Sequence, residues 1–442
     1  MIIGGRKMEW VVLSAVLLMT VLCLLKVNVI LSILISTIAA GLMSGLGFAD
    51  SVELLVAGMG NSANTALSYI LLGAFAVAIS YTGITKILVN FIIRVLTGKK
   101  TMMLFALAGV ACLSQNAVPV HIAFIPILIP PLLKVFDQMR MDRRAVALAL
   151  TFGLKAPYVM IPAGFGLLFQ SLILDGLNSN GGEITLYEVT LSMLIPGSGM
   201  IVGLLIGILF TYRKDKASKD SMKEEKIKTE DLVEEITFGK QHVMTIIAII
   251  SALIVQIITQ DLILGALTGI IAMFVLVALP FKKLDSVMAG GISMMGMISF
   301  IIFAAAGFAN VLQETGAVSE LVEVSVSALG NNKPLIAFVL LLLGLVITIG
   351  IGTSFGTIPI VAALFVPICL ATGFSPLATA ALVGTAGALG DAGSPASDST
   401  LGPTSGLNAD GKHDHIWDTC VPTFIHYNIP LFIFGWIAAM VL

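Results

Sequence analysis

Charged side chains are scarce in this sequence. Only 11% of its 442 residues are Asp, Glu, Lys or Arg, whereas 57% are hydrophobic. Soluble domains carry about 25% charged residues, so this composition excludes an ordinary soluble protein. The sequence therefore predicts a polytopic membrane protein. The four cysteines have no metal-type spacing, which predicts small core residues rather than ligands or disulfides.

The chain also lacks motifs that mark several enzyme classes. It has no Gly-x-x-x-x-Gly-Lys-Ser/Thr phosphate loop and no His-Glu-x-x-His zinc pair. One crowded segment, Lys412–Asp418, holds two histidines and two aspartates, but no second cluster at zinc-type spacing accompanies it. Zinc stays the minor alternative here, and a helix-start network is preferred. We expect neither an enzyme nor a transition-metal site nor an organic cofactor.

Apolar segments long enough to cross a bilayer recur along the chain. Five precede residue 213 and five follow residue 240: 9–26, 28–48, 64–83, 142–176 and 189–212, then 241–259, 261–280, 292–313, 375–400 and 416–441. Between the third and fourth segments of each set lies an apolar stretch broken by polar residues, at 101–133 and at 334–372. Each predicts a re-entrant hairpin, and a pair of full spans is the alternative.

Short residue pairs recur between the two halves at a near-constant offset. Asp50-Ser51 recurs as Asp285-Ser286, and Thr82-Gly83 recurs as Thr315-Gly316, with offsets of 235 and 233. Such a pattern indicates an internal duplication. Because each copy has five spans, an odd number, the second copy is expected to be inserted upside down, as in many secondary transporters.

The predicted fold class is an all-α polytopic membrane protein. It is an inverted repeat of two five-span halves, each with a re-entrant hairpin and a discontinuous helix. Repeat 1 covers 1–212, with a hairpin that opens to the cytoplasm, and repeat 2 covers 241–442, with a hairpin that opens outward. The segment 213–240, with eight basic and eight acidic residues, is predicted to be a charged cytoplasmic linker.

Basic residues are distributed unevenly between the predicted loops. If the N-terminus lies outside, 20 of the 24 basic residues fall on the cytoplasmic side. Only Arg6, Lys7 and Lys333 then lie outside, and Lys155 is left within the membrane. The positive-inside rule therefore predicts a multi-pass protein of the cytoplasmic membrane with both termini outside.

Two polar runs, Gly350–Pro359 and Gly387–Thr400, interrupt the apolar sequence of the second half. They place two aspartates at a depth where a lone carboxylate is costly. Gly and Pro break helices, and the freed carbonyls, hydroxyls and carboxylates suit a cation, although small residues can also serve close helix packing. The predicted site for a coupling Na⁺ or H⁺ consists of Asp391, Asp398, Thr353, Ser354, Thr357 and Ser397.

The corresponding level of the first half carries an ammonium instead of carboxylates, at Lys155. This residue is predicted to face a substrate carboxylate or to replace a second cation. The alternative is a structural ion pair between Lys155 and an aspartate. For His121 a structural role is as good a hypothesis as a substrate contact. The predicted substrate-binding residues are Lys155, Asn116, Gln115, His121, Gly356, Ser394 and Asp418.

Two motifs of the second half carry a family resemblance. The run Gly352-Thr-Ser-Phe-Gly-Thr357 resembles the GTSWGT-type signature of the NhaC-type sodium/proton antiporter family, and Gly390–Thr400 resembles that family's GD…SP.SDTT segment. Asp414-His415-Ile416 is similar to its downstream aspartate-histidine element. The chain departs from the antiporters at Phe355, where they usually have Trp, and is more similar to the branch of histidine and amino-acid permeases (YuiF-like).

The resemblance implies membership of the ion transporter superfamily, with inverted repeats, two hairpins and usually a homodimer. It implies cation-coupled uptake of an amino acid such as histidine, with Na⁺/H⁺ antiport as the alternative. The expected partners are accordingly a small amino acid, a monovalent cation, the lipid bilayer and a second copy of the chain, and no nucleic acid.

Overall fold

The computed structural model describes residues 9–25, 27–60, 63–84, 87, 99–116, 125–213, 238–259, 261–317, 320, 332–351, 353–395 and 397–442. These residues form α-helices and short π-helical or 3₁₀ turns, and no strand occurs among them. Most of the predicted linker, most of the first hairpin's polar tip and His121 lie outside the described residues.

Three helices of the first half begin at residues whose side chains cap them. Asn28 and Asp142 each accept a backbone N–H of the first turn, and Thr185 with Glu188 forms a capping box. The helices are α1 (Glu9–Leu24), α2 (Val29–Met43), α3 (Phe48–Met59), α4 (Ala63–Tyr81), α5 (Lys100–Asn116), α6 (Ile125–Gln138), α7 (Arg143–Met160), α8 (Phe165–Ser179) and α9 (Leu186–Ile206), which continues as a π-helical turn at Gly207–Thr211.

The helices of the second half follow the same rules. Asp261 caps one helix through the N–H of Leu264, and Ser375 caps another that has Pro376 at its first position. The helices are α10 (Lys240–Thr259), α11 (Leu262–Val275), α12 (Leu284–Glu314), α13 (Lys333–Ile351), α14 (Ser354–Ala371), α15 (Pro376–Ala388), α16 (Asp398–Leu407) and α17 (Ile429–Val441), with a 3₁₀ turn at Phe281–Lys283 before α12 and π-helical turns at His415–Cys420 and Phe424–Asn428 before α17.

Each half contains a helix that stops and restarts. In the first half α7 and α8 are separated by a short break and bend by 47°. Gly164 within this break has φ 57° and ψ −129°, a conformation that glycine adopts far more easily than other residues. In the second half, residues 389–397 separate α15 from α16, and Gly390 has φ +79°. The predicted discontinuous helices are therefore present.

The helix ends differ from the sequence prediction at two places. The predicted span 375–400 is helical only to Ala388, because the chain turns at Gly390 and restarts at Asp398. The predicted span 28–48 ends at Met43, and a separate helix, α3, begins at Phe48 after Gly45 with φ 93°.

Length and composition can be compared with the predicted spans. Five helices among the described residues are long and apolar enough to cross a membrane alone, or six if the bent pair α7 and α8 is one span. Further apolar helices of 10–17 residues also occur among the described residues. The total of ten spans and two hairpins stays a prediction.

The recurring residue pairs adopt matching local geometry. Gly83 follows α4 and Gly316 follows α12, both with φ +74°. The hydroxyl of each preceding threonine donates a hydrogen bond to a carbonyl of its helix, Thr82 to Ile79 at 2.7 Å and Thr315 to Val311 at 2.8 Å. This agreement supports the duplication, and the inverted relation of the copies stays a prediction.

The helices pack in two sets. The long helix α12 lies against α2, α3 and α4, and α11 packs on α4 and α10. The broken helices and hairpin arms gather separately: α14 packs on α15 and α8, while α16 packs on α6 and α7. The contact between α12 and α14 joins the sets, so the breaks lie beside this junction.

Small residues permit the closest helix approaches. A Cβ added at Gly203 of α9 would lie 1.6 Å from the carbonyl oxygen of His426, whereas one added at Gly109 of α5 would meet nothing within 4 Å. Gly203→Ala should therefore lower the melting temperature in detergent by the equivalent of about 1–3 kcal/mol, because the backbones must separate. Gly109→Ala is the matched control and should be neutral or stabilising by up to about 1 kcal/mol. Equal melting temperatures for the two variants would contradict this packing.

Candidate functional site

A buried ion pair lies where the two broken helices meet. Lys155 of α7 donates from Nζ to Oδ2 of Asp391, which lies in the break between α15 and α16. The two residues are 7% and 2% exposed. Burying two unit charges requires close pairing and further hydrogen bonds, so the surroundings of the carboxylate decide whether this arrangement is stable.

Hydroxyl and backbone groups surround the carboxylate on both oxygens. Ser354 donates its hydroxyl and its backbone N–H to Oδ2, the latter at 3.1 Å. Ser397 donates its hydroxyl to Oδ1, and Ser399 does so at 3.3 Å. The carboxylate of Asp391 is thus held by one cation and several neutral donors, which offsets the cost of its burial.

The start of α14 explains why Ser354 can donate twice. Thr353 is the extended N-cap residue, with φ −147° and ψ 134°, and its side chain makes no capping bond. The N–H groups of a first helical turn have no partner within the helix, and the helix dipole favours an anion there. Asp391 supplies that anion from another segment of the chain.

Tyr158 links the ammonium to the hairpin. Its hydroxyl accepts from Lys155 Nζ at 3.0 Å and lies 2.7 Å from Oγ of Ser354. Its ring packs against Phe169 and Phe355, with centroids 4.9 and 5.7 Å away. The rings exclude water from one side of the ion pair, which strengthens the electrostatic interaction.

The structure gathers several of the predicted cation-site residues. Asp391, Ser354 and Ser397 are in direct contact. Thr357 lies one turn along α14, where its hydroxyl donates to the Thr353 carbonyl at 2.8 Å. Asp398 is the first residue of α16, and its side chain lies outside the described structure. The cation-binding roles of these residues stay predictions.

Asn116, predicted to bind substrate, ends the first hairpin arm beside the α7–α8 break. Its amide nitrogen donates to the carbonyls of Ile161 and Ala163 at 3.2 and 3.0 Å. Its Oδ1 is buried and has no partner among the described residues. The neighbouring Gln115 is helical, but its side chain is not described, and His121 lies outside the described residues.

A small cavity adjoins Asn116. It has a volume of about 10 Å³ and is lined by apolar residues together with Asn116, Gly164 and Gln256. Gln256 of α10 is 4% exposed, and its Nε2 has no partner among the described residues. One cavity therefore adjoins two buried amides, of which one has an unused acceptor and the other an unused donor.

The remaining predicted substrate residues have local roles. Gly356 is buried in the first turn of α14. Ser394 is 1% exposed and donates to the Ile349 carbonyl at 3.3 Å. Asp418 accepts the backbone N–H of Asp414 at 3.0 Å, while Asp414 caps the same π-helical turn through Trp417. These contacts leave substrate binding by the three residues a prediction.

The histidines of the Lys412–Asp418 segment form a hydroxyl network. His413 Nε2 lies 2.7 Å from Thr419 Oγ1, and His415 Nε2 donates to the Pro395 carbonyl at 2.9 Å. Within the described ranges, no group of three His, Cys, Asp or Glu side chains could hold a metal ion. The network ties the last helical segment to the break that carries Asp391.

Sequence reasoning missed several residues that the fold brings to the site. Tyr158 is three residues from Lys155 and hence on the same helix face, a spacing that could have identified it. Ser399 lies within the polar run Gly387–Thr400, but it was not among the predicted site residues. Thr151, which donates to the Ser399 carbonyl at 3.0 Å, and Gln256 carried no local signal.

Gly352–Gly356 also spells the Gly-x-Ser-x-Gly pattern of serine hydrolases. That pattern requires a strand before the serine and a base beside it. Here the serine is Ser354, which begins a helix after another helix. Its hydroxyl contacts Tyr158 and Asp391. The geometry is that of a carboxylate-binding helix start.

Family comparison covers most of the chain. A model described as the Na⁺/H⁺ antiporter family matches residues 149–436, and a second one, described as a Na⁺-H⁺ antiporter family, matches residues 11–96. An uncharacterized membrane protein of Vibrio parahaemolyticus is 51% identical over 443 residues, covering 98% of this chain and 99% of that protein. A protein of Bacillus subtilis named as a candidate amino acid transporter, YuiF, is 45% identical over 449 residues, with the same coverage.

Solved structures with a similar fold are membrane transporters. MtrF of Neisseria gonorrhoeae, presented within a class of antimetabolite efflux pumps, has a TM-score of 0.62 at 16% identity, covering 89% of this chain and 85% of its own. The YdaH transporter of Alcanivorax borkumensis has a TM-score of 0.59 at 15% identity and covers 89% of both chains. At these identities the likeness concerns the fold alone.

Removing one member of the buried pair should be more damaging than removing both. Lys155→Met leaves a buried carboxylate without its cation, and Asp391→Asn leaves a buried ammonium, so each should cost about 3–5 kcal/mol. The double variant should lose less than either single variant. Thermal unfolding in detergent at neutral pH measures this coupling, and Lys134→Met, at an exposed lysine of α6, is the control. Additive losses would contradict the pairing.

The buried His413 should make stability depend on pH. Burial, with a further contribution from Arg143, lowers the pKa of His413 from 6.5 to about 4. As the pH falls below 6.5, the unfolded chain takes up this proton first, so stability is lost between pH 6.5 and about 4. By pH 5 the loss should approach about 2 kcal/mol. Melting curves of His413→Gln should be flatter than those of the unsubstituted chain over this interval, and parallel curves would refute the assignment.

Proposed function

The chain belongs to the Na⁺/H⁺ antiporter family, and from that premise we propose that it is a cation-coupled carrier that takes up a small amino acid, with histidine as the leading candidate. That it is a membrane transporter follows from the family and the fold. The observation that carries the finer proposal is the buried contact between Lys155 and Asp391 at the meeting point of the two broken helices.

A zwitterion requires an opposite charge for each of its ends. The two charges of the site satisfy each other in this state, so neither is left buried alone. When a zwitterion binds, its carboxylate takes the place of Asp391 beside Lys155 and the N–H of Ser354, and its ammonium approaches Asp391. The exchange conserves the number of paired charges, which keeps its electrostatic cost low.

We name histidine because the chain resembles the permease branch of its family. The cavity beside Asn116 has a volume of about 10 Å³, enough for one water molecule, so it has no room for a side chain in this state. Oδ1 of Asn116 and Nε2 of Gln256, which have no partner among the described residues, adjoin this cavity as one acceptor and one donor.

Coupling to a cation follows from the same carboxylate. If Lys155 turns to the substrate, Asp391 requires another positive charge, and a proton or Na⁺ would provide it with Ser354 and Ser397 as oxygen neighbours. We include Asp398 as a second carboxylate for this ion. The homodimer, the placement in the cytoplasmic membrane and the external termini belong to the same proposal.

Na⁺/H⁺ exchange is the second candidate, and membership of the antiporter family favours it. In that case Lys155 would act as a built-in cation that competes with Na⁺ or H⁺ for Asp391. No amino acid would then be needed for transport.

Transport by reconstituted protein separates the two candidates. Proteoliposomes with an imposed sodium or proton gradient should accumulate labelled histidine, and histidine should raise the melting temperature of the purified protein. Exchange of sodium for protons without any amino acid, and without stabilisation by any amino acid, would establish the antiporter and exclude the symporter.

Tyr158→Phe tests the site in the same assay. Removing this hydroxyl leaves Lys155 and Ser354 without a shared partner and should lower uptake by about tenfold, the equivalent of about 1.4 kcal/mol. Tyr427→Phe is the matched control, because Tyr427 is also fully buried and its hydroxyl donates to the Leu148 carbonyl at 2.6 Å, away from the ion pair. If both variants lose uptake equally, Tyr158 has only a structural role.

A further inference from the structure

A second polar site lies between the two sets of helices. A cleft with a volume of about 90 Å³ separates α8 from α12. Its lining includes one charged residue, Asp175, and the polar residues Ser179, Asn180, Asn310 and Gln313. None of these residues belongs to the Lys155–Asp391 site.

Two amide side chains on α12 each have an oxygen available to coordinate a cation. Asn310 donates its Nδ2 to the Leu54 carbonyl at 2.8 Å, and Gln313 donates its Nε2 to Oδ1 of Asn180 at 2.6 Å. Their nitrogens are thereby occupied. Within the described part of the chain, no donor reaches Oδ1 of Asn310 or Oε1 of Gln313, so both oxygens are free to accept.

Residue spacing places the oxygens on opposite walls. Asn310 and Gln313 are three residues apart and share a face of α12, while Asp175 and Ser179 are four apart and share a face of α8. No ion pair to Asp175 occurs among the described residues. The cleft thus combines one carboxylate with two amide oxygens.

Such a set of ligands selects a hard monovalent cation. Sodium prefers oxygen ligands, and a single carboxylate balances a single positive charge, whereas sites for divalent ions use more carboxylates. We propose that the α8–α12 cleft binds Na⁺ through the carboxylate of Asp175 and the side-chain oxygens of Asn310 and Gln313, as a site separate from Asp391.

The position of the cleft links this ion to transport. Pro359 of α14 also lines the cleft. It follows Ser354 by five residues, which corresponds to about 7.5 Å along the helix axis. An ion in the cleft is therefore close to the helix whose start contacts Asp391. The link between this ion and transport rests on the proposed function, whereas the binding of the ion does not.

A cysteine probe in the cleft tests binding without any transport. Ser179 is exposed and one turn from Asp175, so Ser179→Cys should react with a neutral maleimide in purified protein, with the unsubstituted chain as the blank. Sodium chloride should slow the reaction several-fold relative to choline chloride at equal ionic strength. Asp175→Asn, an exposed substitution, should raise the sodium concentration needed by about tenfold or more, because the negative charge of the site is lost.

Glu183→Gln is the matched control in the Ser179→Cys background. Glu183 is exposed, lies eight residues beyond Asp175 and does not line the cleft. It should leave the sodium effect unchanged. Three results would each overturn the site. The first is that sodium fails to slow the labelling, the second is that it slows it equally with and without the Asp175 carboxylate, and the third is that Glu183→Gln weakens the sodium effect as much as Asp175→Asn does. If sodium slows the labelling as expected but the unsubstituted protein takes up no amino acid, only the proposed function is refuted.

Discussion

The contact between Lys155 and Asp391 is the constraint on which the centre of the molecule depends. A charged pair this deeply buried is stable only if every remaining lone pair and proton finds a partner. Four segments meet that demand: α7 brings the ammonium and Tyr158, the α15–α16 break brings the carboxylate, the start of α14 brings Ser354, and the start of α16 brings Ser399. Three of these four segments are a helix break or a helix start, whereas Lys155 and Tyr158 lie within α7.

Interrupted helices leave polar backbone groups that a membrane cannot hydrate. In this fold, side chains at the breaks form hydrogen bonds with these backbone groups. Asn116 covers the carbonyls of Ile161 and Ala163, and His415 covers that of Pro395. The polar residues near the breaks therefore stabilise the irregular backbone beside which we propose the binding site.

The Lys155–Asp391 pair carries no net charge, and this neutrality bears on which ligands can separate the two residues. Any ligand that separates Lys155 from Asp391 must replace the partner of each, which favours a zwitterion together with a cation over a lone anion or a lone cation. Na⁺/H⁺ exchange would instead require only that Na⁺ or H⁺ compete with Lys155 for Asp391.

The sequence by itself determined the membrane class, the polar break at Gly387–Thr400 and the polar start of α14, because apolar runs and helix-breaking residues act over a few neighbours. It also identified Lys155 and Asp391 as costly at their depth, and left open whether they pair. Tertiary structure decided that they do, since the two residues are 236 positions apart and only the packing of α7 against the second half joins them. For the same reason the sequence did not show that Gln256 lies near Asn116, or that Asp175 and Asn310 line one cleft. Their significance comes from the facing helix, and no local pattern encodes which helix that is.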